Sequence, residues 1–376
     1  MTDAGASLSD GKDFEKRLKL LRTWTAFCQY RSGTRKIEEV MEIISPSRER
    51  LEVLATPERR PWSIRRTSSV QLSWPDGAAQ PMQLNGVGRD LLTGGEGTAA
   101  ETLACDHVQA TIDADKHILA IETSPALPSA WALIGQHALK GYRRALAPLI
   151  ENPAVAARPL ALMLDDVVGT NIISGWIKVK FTPSAEPFDR RAMTDVCTGY
   201  AAGSTSFVDM SNLSRSYVVP PTEVEGDPDA YHDLGPRIEA TVQRLRRIDL
   251  WREGEALMMD AMFSDSGVLT GPTHRSAIHE YRVRASATGG DGAWRLAKIE
   301  AHPGALPYRE CRAAPVHLQM LIGMPLDQLR QSVLQTLRGP LGCTHLNDAT
   351  RALAEASALA DRLSQAVAGR ESQDRR

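Results

Sequence analysis

A thiol and an imidazole stand two residues apart near the end of the chain, in the sequence Gly342-Cys343-Thr344-His345-Leu346. From Leu346 to Val367, apolar residues recur three or four positions apart, the period of one helix face. Cys343 and His345 are therefore predicted at or just before the first turn of a long amphipathic helix. Free N–H groups and the helix dipole favour a thiolate there, for use as a nucleophile or a metal ligand. The structural alternative is a buried cysteine beside a hydrogen-bonded histidine.

Further residues of the same chemical types precede this motif. The predicted metal ligands are His279, Cys311, Cys343 and His345. Two thiols and two imidazoles suit zinc or iron, which accept sulfur and nitrogen donors. No Cys-x-x-Cys is present, so the spacing is not that of a zinc finger. A catalytic base would come from nearby in the sequence, and Glu280 and His302 are the predicted residues for that role.

Length and composition limit the classes of protein to consider. A chain of 376 residues is long enough for two domains with cores of their own. The net charge is −2 and basic residues are scattered among acids, which argues against a nucleic-acid partner. No apolar run approaches the length of a membrane span, and the N-terminus lacks a basic and apolar leader. We expect a cytoplasmic protein with no membrane association, and its five cysteines show no disulfide pattern.

Two stretches about 180 residues apart carry the same landmarks in the same order. Ile121-Glu122 matches Ile299-Glu300, and His107 is aligned with His279. Each stretch is typical of antiparallel strands followed by helices. The predicted fold class is α+β, with two tandem copies of an antiparallel sheet packed with helices.

The two predicted copies differ in their chemistry. The predicted organisation is a helical lead-in over 1–60, a first repeat over 61–176, a connecting segment over 177–235 and a second repeat over 236–376. Ala161 and Met163 stand where the second copy has Cys343 and His345, and the segment that contains Cys311 has no counterpart. The first repeat is therefore degenerate, and we expect a single working site in the second.

These residues carry a family resemblance. Gly342 to Leu346, together with His279 and Cys311, resemble the pattern of a bacterial family catalogued as domain of unknown function 2889, over about residues 240 to 360. That resemblance implies a related structure and no firm activity. The order of ligands is also similar to iron-sulfur cluster scaffold proteins, although the chain lacks their Cys-Gly-Asp segment.

Several functions agree with this pattern. The leading expectation is a metal-dependent enzyme that acts on a small, largely apolar metabolite, aromatic ones included, by lyase-type chemistry. The cofactor would be zinc or iron and the partner a small-molecule substrate, with a homo-oligomer left open. The alternatives are a Cys343 thiolate nucleophile for acyl or thioester hydrolysis, a carrier of a metal or iron-sulfur cluster, and a purely structural role.

Overall fold

A computed structural model describes the greater part of the chain. The described residues are 55–77, 80–95, 99–181, 190–208, 217–235, 240–268, 275–290 and 293–374. All of them fall within one compact unit, residues 48–376. The helical lead-in predicted for residues 1–60 lies almost wholly outside the described residues.

The centre of the fold is an eight-stranded antiparallel sheet. Its strands are β1 (Ser63–Ser73), β2 (Met82–Thr93), β3 (Glu101–Ile112), β4 (Ile118–Ser124), β5 (Thr241–Glu253), β6 (Ala256–Val268), β7 (Ser276–Thr288) and β8 (Arg295–Pro303). Their order across the sheet is β4-β3-β2-β1-β5-β6-β7-β8. With the helices described below, this sheet confirms the α+β class.

Strands β1 and β5 join two sets of four strands at the middle of the sheet. They pair antiparallel without interruption, and Ser68 lies opposite Arg246. From this pair each set continues outward in chain order. The ladder between β2 and β3 shifts at Asp90/Leu91, and that between β6 and β7 shifts at Asp265/Ser266. These shifts occupy corresponding places, as a duplication would produce.

The ladders also give the correspondence between the sets, residue by residue. Asp90 of β2 is paired with Ala104 of β3, and Asp265 of β6 is paired with His279 of β7. The counterpart of His279 is therefore Ala104. The predicted alignment of His107 with His279 was wrong by three positions, because the similar spacing of polar residues did not reveal the register.

Helices cover one face of the sheet. They are α1 (Tyr142–Ile150), α2 (Pro153–Ala156), α3 (Pro159–Phe181), α4 (Leu329–Thr336), α5 (Thr344–Arg351) and α6 (Ala356–Asp374). Alternate side chains of a strand point to opposite faces. Ile248 and Leu250 of β5 accordingly pack in the core under the C-terminal helices, and Val242 packs in the core under α1 and α3. The predicted boundary at residues 176/177 falls inside α3.

The opposite face is covered in part by residues 222–234. Leu245 of β5 and Met262 of β6 pack there against Tyr231. The imidazole of His232 lies between two hydroxyls of β1, with Thr67 Oγ1 2.8 Å from Nδ1 and Ser69 Oγ 2.8 Å from Nε2. The region predicted as a connecting segment thus contributes to the core. Among the described residues, no helix is long and apolar enough to cross a membrane.

Candidate metal centre

A carboxylate and two imidazoles converge on the helix-covered face of the second set of strands. Asp265 Oδ2 lies 3.4 Å from Nδ1 of His279 and 3.8 Å from Nε2 of His345. The two imidazole rings are stacked, with centroids 3.3 Å apart and planes 15° from parallel. One donor atom from each of the three side chains lies within 4.8 Å of the other two, close enough for all three to hold one metal ion.

Three elements position these donors. Asp265 and His279 face each other across β6 and β7. His345 lies in the first turn of α5, which begins at Thr344 with Cys343 as the preceding cap residue. The predicted placement of Cys343 and His345 at a helix start is confirmed. The long helix predicted there is interrupted by a 3-10 turn at Ala352–Glu355 before α6.

Both imidazoles carry a buried nitrogen that is not satisfied. Nδ1 of His279 and Nε2 of His345 are shielded from solvent, and Asp265 Oδ2 lies 3.4 and 3.8 Å from them, beyond the usual length of a hydrogen bond. Burial lowers the pKa of His279, and it lowers that of His345 well below the usual range. The rings are therefore neutral at pH 7. A neutral imidazole is the form that coordinates a metal without first losing a proton.

The carboxylate is held ionised by an arginine. Burial alone would favour the acid, but Arg244 beside Asp265 holds the pKa of that carboxyl well below its usual range. The same guanidinium also contacts Asp348 at 2.9 Å and Asp166 at 3.1 Å. Arg246 pairs with Asp166 as well, at 2.6 Å. The candidate centre is therefore one end of a buried ion network between the sheet and the helices.

The region that holds the three donors was compared with known protein families. Residues 242–359 match the model of a family described as "Protein of unknown function (DUF2889)". The match confirms the resemblance to this family that was stated from the sequence. It includes β5 to β8 and all of α5, and therefore Asp265, His279 and His345. The searches of curated proteins and of solved structures found no match to the chain.

Two of the predicted ligands lie beside this centre in the DUF2889 region without joining it. Cys311 and Cys343 are buried next to Tyr281, whose hydroxyl donates to the carbonyl oxygen of Cys311 at 3.1 Å. Tyr281 follows His279 by two residues on the same face of β7, a step of about 7 Å along a strand. The structure thus brings His279 and His345 together with Asp265, and places the two thiols in a neighbouring group.

The residues predicted as catalytic bases point away from the imidazoles. Tyr281 is in the helix-side core, so Glu280, its neighbour on β7, faces the other side of the sheet. There Glu280 Oε2 accepts a hydrogen bond from the N–H of Ala305 at 2.9 Å. His302 is paired with Arg282 and shares that side. Neither side chain reaches the candidate centre.

The sequence analysis missed Asp265 and Arg244. An acidic residue in an otherwise apolar or small-residue strand was a usable signal for Asp265. Asp260 gives the same signal five residues earlier in β6, and it lies on the opposite face in contact with Arg247 and Arg282. Their odd spacing of five residues places the two aspartates on opposite faces of β6, and only the pairing with β7 shows which of them meets His279.

Proposed function

We propose that the chain is a metal-dependent enzyme that acts on a small, largely apolar metabolite in the cytoplasm, with zinc or iron held by Asp265, His279 and His345. The observation that supports this is a pair of buried imidazole nitrogens that lie 3.4 and 3.8 Å from one carboxylate oxygen, beyond the usual length of a hydrogen bond. An unsatisfied buried polar atom costs about 1–3 kcal/mol. Coordination to an ion would remove that cost.

The donor set fits a catalytic ion. Structural zinc sites are closed by four protein ligands, whereas catalytic zinc sites use three and leave a position for water or substrate. Two histidines and one carboxylate are also the ligand set of non-haem iron enzymes. When bound, such an ion acts as a Lewis acid toward a carbonyl or hydroxyl group. Retro-aldol cleavage and elimination are the lyase reactions that would use this chemistry.

The protein's own residues prepare the site in three ways. Arg244 orients the Asp265 carboxylate with two hydrogen bonds and keeps it ionised. Burial keeps both imidazoles neutral. Phe263 and Tyr281 are paired across β6 and β7 beside the imidazoles, and the Phe263 ring centroid lies 6.3 Å from that of His345. These aromatic side chains favour a largely apolar substrate over a highly charged one.

A cysteine nucleophile is less well supported. Burial raises the pKa of Cys343 to about 11, so that the thiol is protonated at neutral pH. Only 2% of the residue is exposed, which limits access for an electrophile. The environment of Cys343 is the opposite of the electropositive, accessible environment that activates a catalytic thiol.

Metal content tests the proposal directly. Untagged protein, analysed for bound elements, should contain about one zinc or iron ion per chain, the stoichiometry of a mononuclear site. His345→Ala and His279→Ala should lose it. His107→Ala and His302→Ala are matched histidine controls and should retain it, because His107 is exposed on β3 and His302 faces away from the centre. Metal-free wild-type protein, also after incubation with Zn²⁺ or Fe²⁺, would refute the proposal.

Catalysis needs a second experiment. The metal-loaded protein is incubated with a panel of small hydroxy and keto compounds, and products are detected by mass spectrometry. Turnover by wild type that is lost in His345→Ala and kept in His302→Ala would support metal-dependent chemistry. Turnover that persists in both His345→Ala and metal-free protein would show that the reaction does not use this centre.

A further inference from the structure

A cavity of about 360 Å³ lies on the face of the sheet opposite the helices. It is lined by Arg89 of β2 and by residues between Thr222 and Leu234. Asp90, the next residue on β2, contacts Arg362 of α6, so Arg89 points to the other side of the sheet. A volume of this size is typical of sites for small ligands. The cavity is therefore separate from the candidate metal centre, which lies on the helix-covered face.

The guanidinium of Arg89 is only partly paired within the described part of the chain. It makes one hydrogen bond there, from Nη2 to the carbonyl oxygen of Asp229 at 2.6 Å, although a guanidinium has several N–H groups to donate. Nε is shielded from solvent and has no partner among the described residues. The Asp229 carboxylate lies 3.6 Å from Nη1, beyond the usual length of a hydrogen bond. Burial accordingly lowers the pKa of Arg89.

Other arginines on the same face are paired with carboxylates. Arg65 of β1 donates to Asp249 from Nε at 2.6 Å and from Nη2 at 2.9 Å. Arg282 of β7 donates to Asp260 from Nη2 at 2.6 Å. Burying a cation without such a partner is costly, because the charge loses its hydration and gains nothing in return. Arg89 thus has room for a carboxylate that the described residues do not supply.

The rest of the lining combines acidic and apolar side chains. Glu223 and Asp233 line the cavity and are exposed, whereas the buried Asp227 is already paired with Arg59 at 2.7 Å. The apolar part of the lining includes Val224, Pro228 and Leu234. A simple anion would be repelled by the acids around Arg89, and a simple cation would be repelled by Arg89 itself. A ligand that suits this cavity carries both charges and an apolar group.

We propose that this cavity binds an α-amino acid with an apolar side chain, independently of the candidate metal centre. The carboxylate of the amino acid pairs with the guanidinium of Arg89, whose planar N–H groups match a carboxylate. Its ammonium group donates to the exposed carboxylates of Glu223 and Asp233. Its side chain packs against the apolar part of the lining. The ligand has no net charge, so both kinds of charged group in the cavity are satisfied.

Calorimetric titration of wild-type protein with the standard amino acids tests this proposal. Leucine or another apolar amino acid should bind, with saturation near one molecule per chain, since the structure offers one such cavity among the described residues. N-acetyl-leucine lacks the ammonium group and leucinamide lacks the carboxylate, so each should bind at least about tenfold more weakly than leucine. Absence of binding by every standard amino acid would overturn the proposal. Equal binding of either derivative would also overturn it, because the site would then recognise a single charge.

Two arginine variants then locate the site. Arg89→Met should weaken the binding of the amino acid by about 10–100-fold, the range for a lost hydrogen bond between charged groups. Arg144→Met is the matched control and should bind as wild type does, because Arg144 is exposed on α1, on the other face of the sheet. Unchanged affinity in Arg89→Met would refute the assignment. His345→Ala should also bind the amino acid, so the outcome is independent of the metal proposal.

Discussion

Arg244 donates two hydrogen bonds to Asp265, from Nε to Oδ1 at 2.8 Å and from Nη2 to Oδ2 at 3.0 Å. Both side chains are fully buried. The same oxygen, Oδ2, is the one nearest to His279 and His345. The corresponding pair in the first set of strands, Arg66 and Asp90, makes the same two hydrogen bonds. The residue opposite that carboxylate is Ala104 and not a histidine. The arginine–aspartate pair is thus common to both sets, and the imidazoles distinguish the second.

Replacing Arg244 by Met should destabilise the protein by about 3–5 kcal/mol, because removing one partner leaves buried carboxylates without their counter-ion. Three aspartates contact this guanidinium. The free energy of unfolding in urea is the measurement. Arg284→Met is the control, since that side chain is 42% exposed and lies 3.7 Å from Asp260, and it should cost less than about 1 kcal/mol. Equal losses in the two variants would contradict a structural role for the network.

Two glycines of α3 should respond in opposite directions to the same substitution. A Cβ on Gly169 would overlap the guanidinium of Arg244, whose partners hold it in place, so Gly169→Ala should cost several kcal/mol, about the range of an overpacked core. Gly175, in the same helix, is exposed and has no atom within 4 Å of that position among the described residues. Gly175→Ala should stabilise the protein by about 0.5–1 kcal/mol. Thermal unfolding of both variants would show this contrast, and a neutral Gly169→Ala would argue against the packing described here.

Acid should destabilise the protein in part through His232. Burial lowers the pKa of this imidazole to about 3, from an ordinary value of 6.5. Since the folded state binds the proton less well than the unfolded chain, the contribution to stability is complete above pH 6.5 and is lost as the pH falls toward 3. The full loss, reached below the folded-state pKa, is about 5 kcal/mol.

Glutamine at position 232 isolates this effect, because it does not titrate and can still hydrogen-bond to the hydroxyls of Thr67 and Ser69. The difference in unfolding free energy between wild type and His232→Gln should shrink or reverse between pH 7 and pH 4. His117→Gln, at a side chain that is 47% exposed, is the control for the substitution itself. A pH-independent difference for His232→Gln would refute the assignment.

Removing one hydroxyl should weaken the junction between the two sets of strands. The hydroxyl of Tyr231 lies 2.9 and 2.8 Å from the carbonyl oxygens of Ser68 and Arg246 and shares its single proton between them. These two residues lie opposite each other on β1 and β5. Tyr231→Phe should cost about 1–2 kcal/mol, the range for a buried hydrogen bond. Tyr308→Phe is the control, because its hydroxyl contacts another hydroxyl at 3.2 Å in a partly buried place, and a smaller loss is expected. Chemical denaturation of both variants measures the two losses of unfolding free energy, and equal losses would contradict the role given to Tyr231.

Features set by local sequence could be predicted. The amphipathic period placed His345 at the start of a helix, and alternation with turn residues indicated antiparallel strands in both halves of the chain. Such features need only the residues of one element and the general preference of helices and strands.

Features set by pairing between separate elements could not be predicted from the sequence. The two cysteines predicted to bind one metal together with the imidazoles lie next to Tyr281 instead. Tyr281 is two residues from His279 along β7. Asp265 enters the centre because the β6–β7 ladder pairs it with His279. Cys197 and Cys311 lie near each other at Gly199, although more than a hundred residues separate them in the sequence. None of these contacts has a periodic signal, because each depends on how separate elements dock.

The pairing of β1 with β5 has a consequence for anyone who wishes to study the matched region by itself. Residues 242–359 begin within β5, and that strand forms its second ladder with β1, outside the match. A fragment cut at this boundary would expose a long row of free N–H and C=O groups on β5, together with Arg244 and Arg246 deprived of Asp166 in α3. Open strand edges of this kind recruit other chains. The portion that carries the family likeness is thus one half of a shared sheet, and the strand that covers its open edge begins at Ser63, far outside the match.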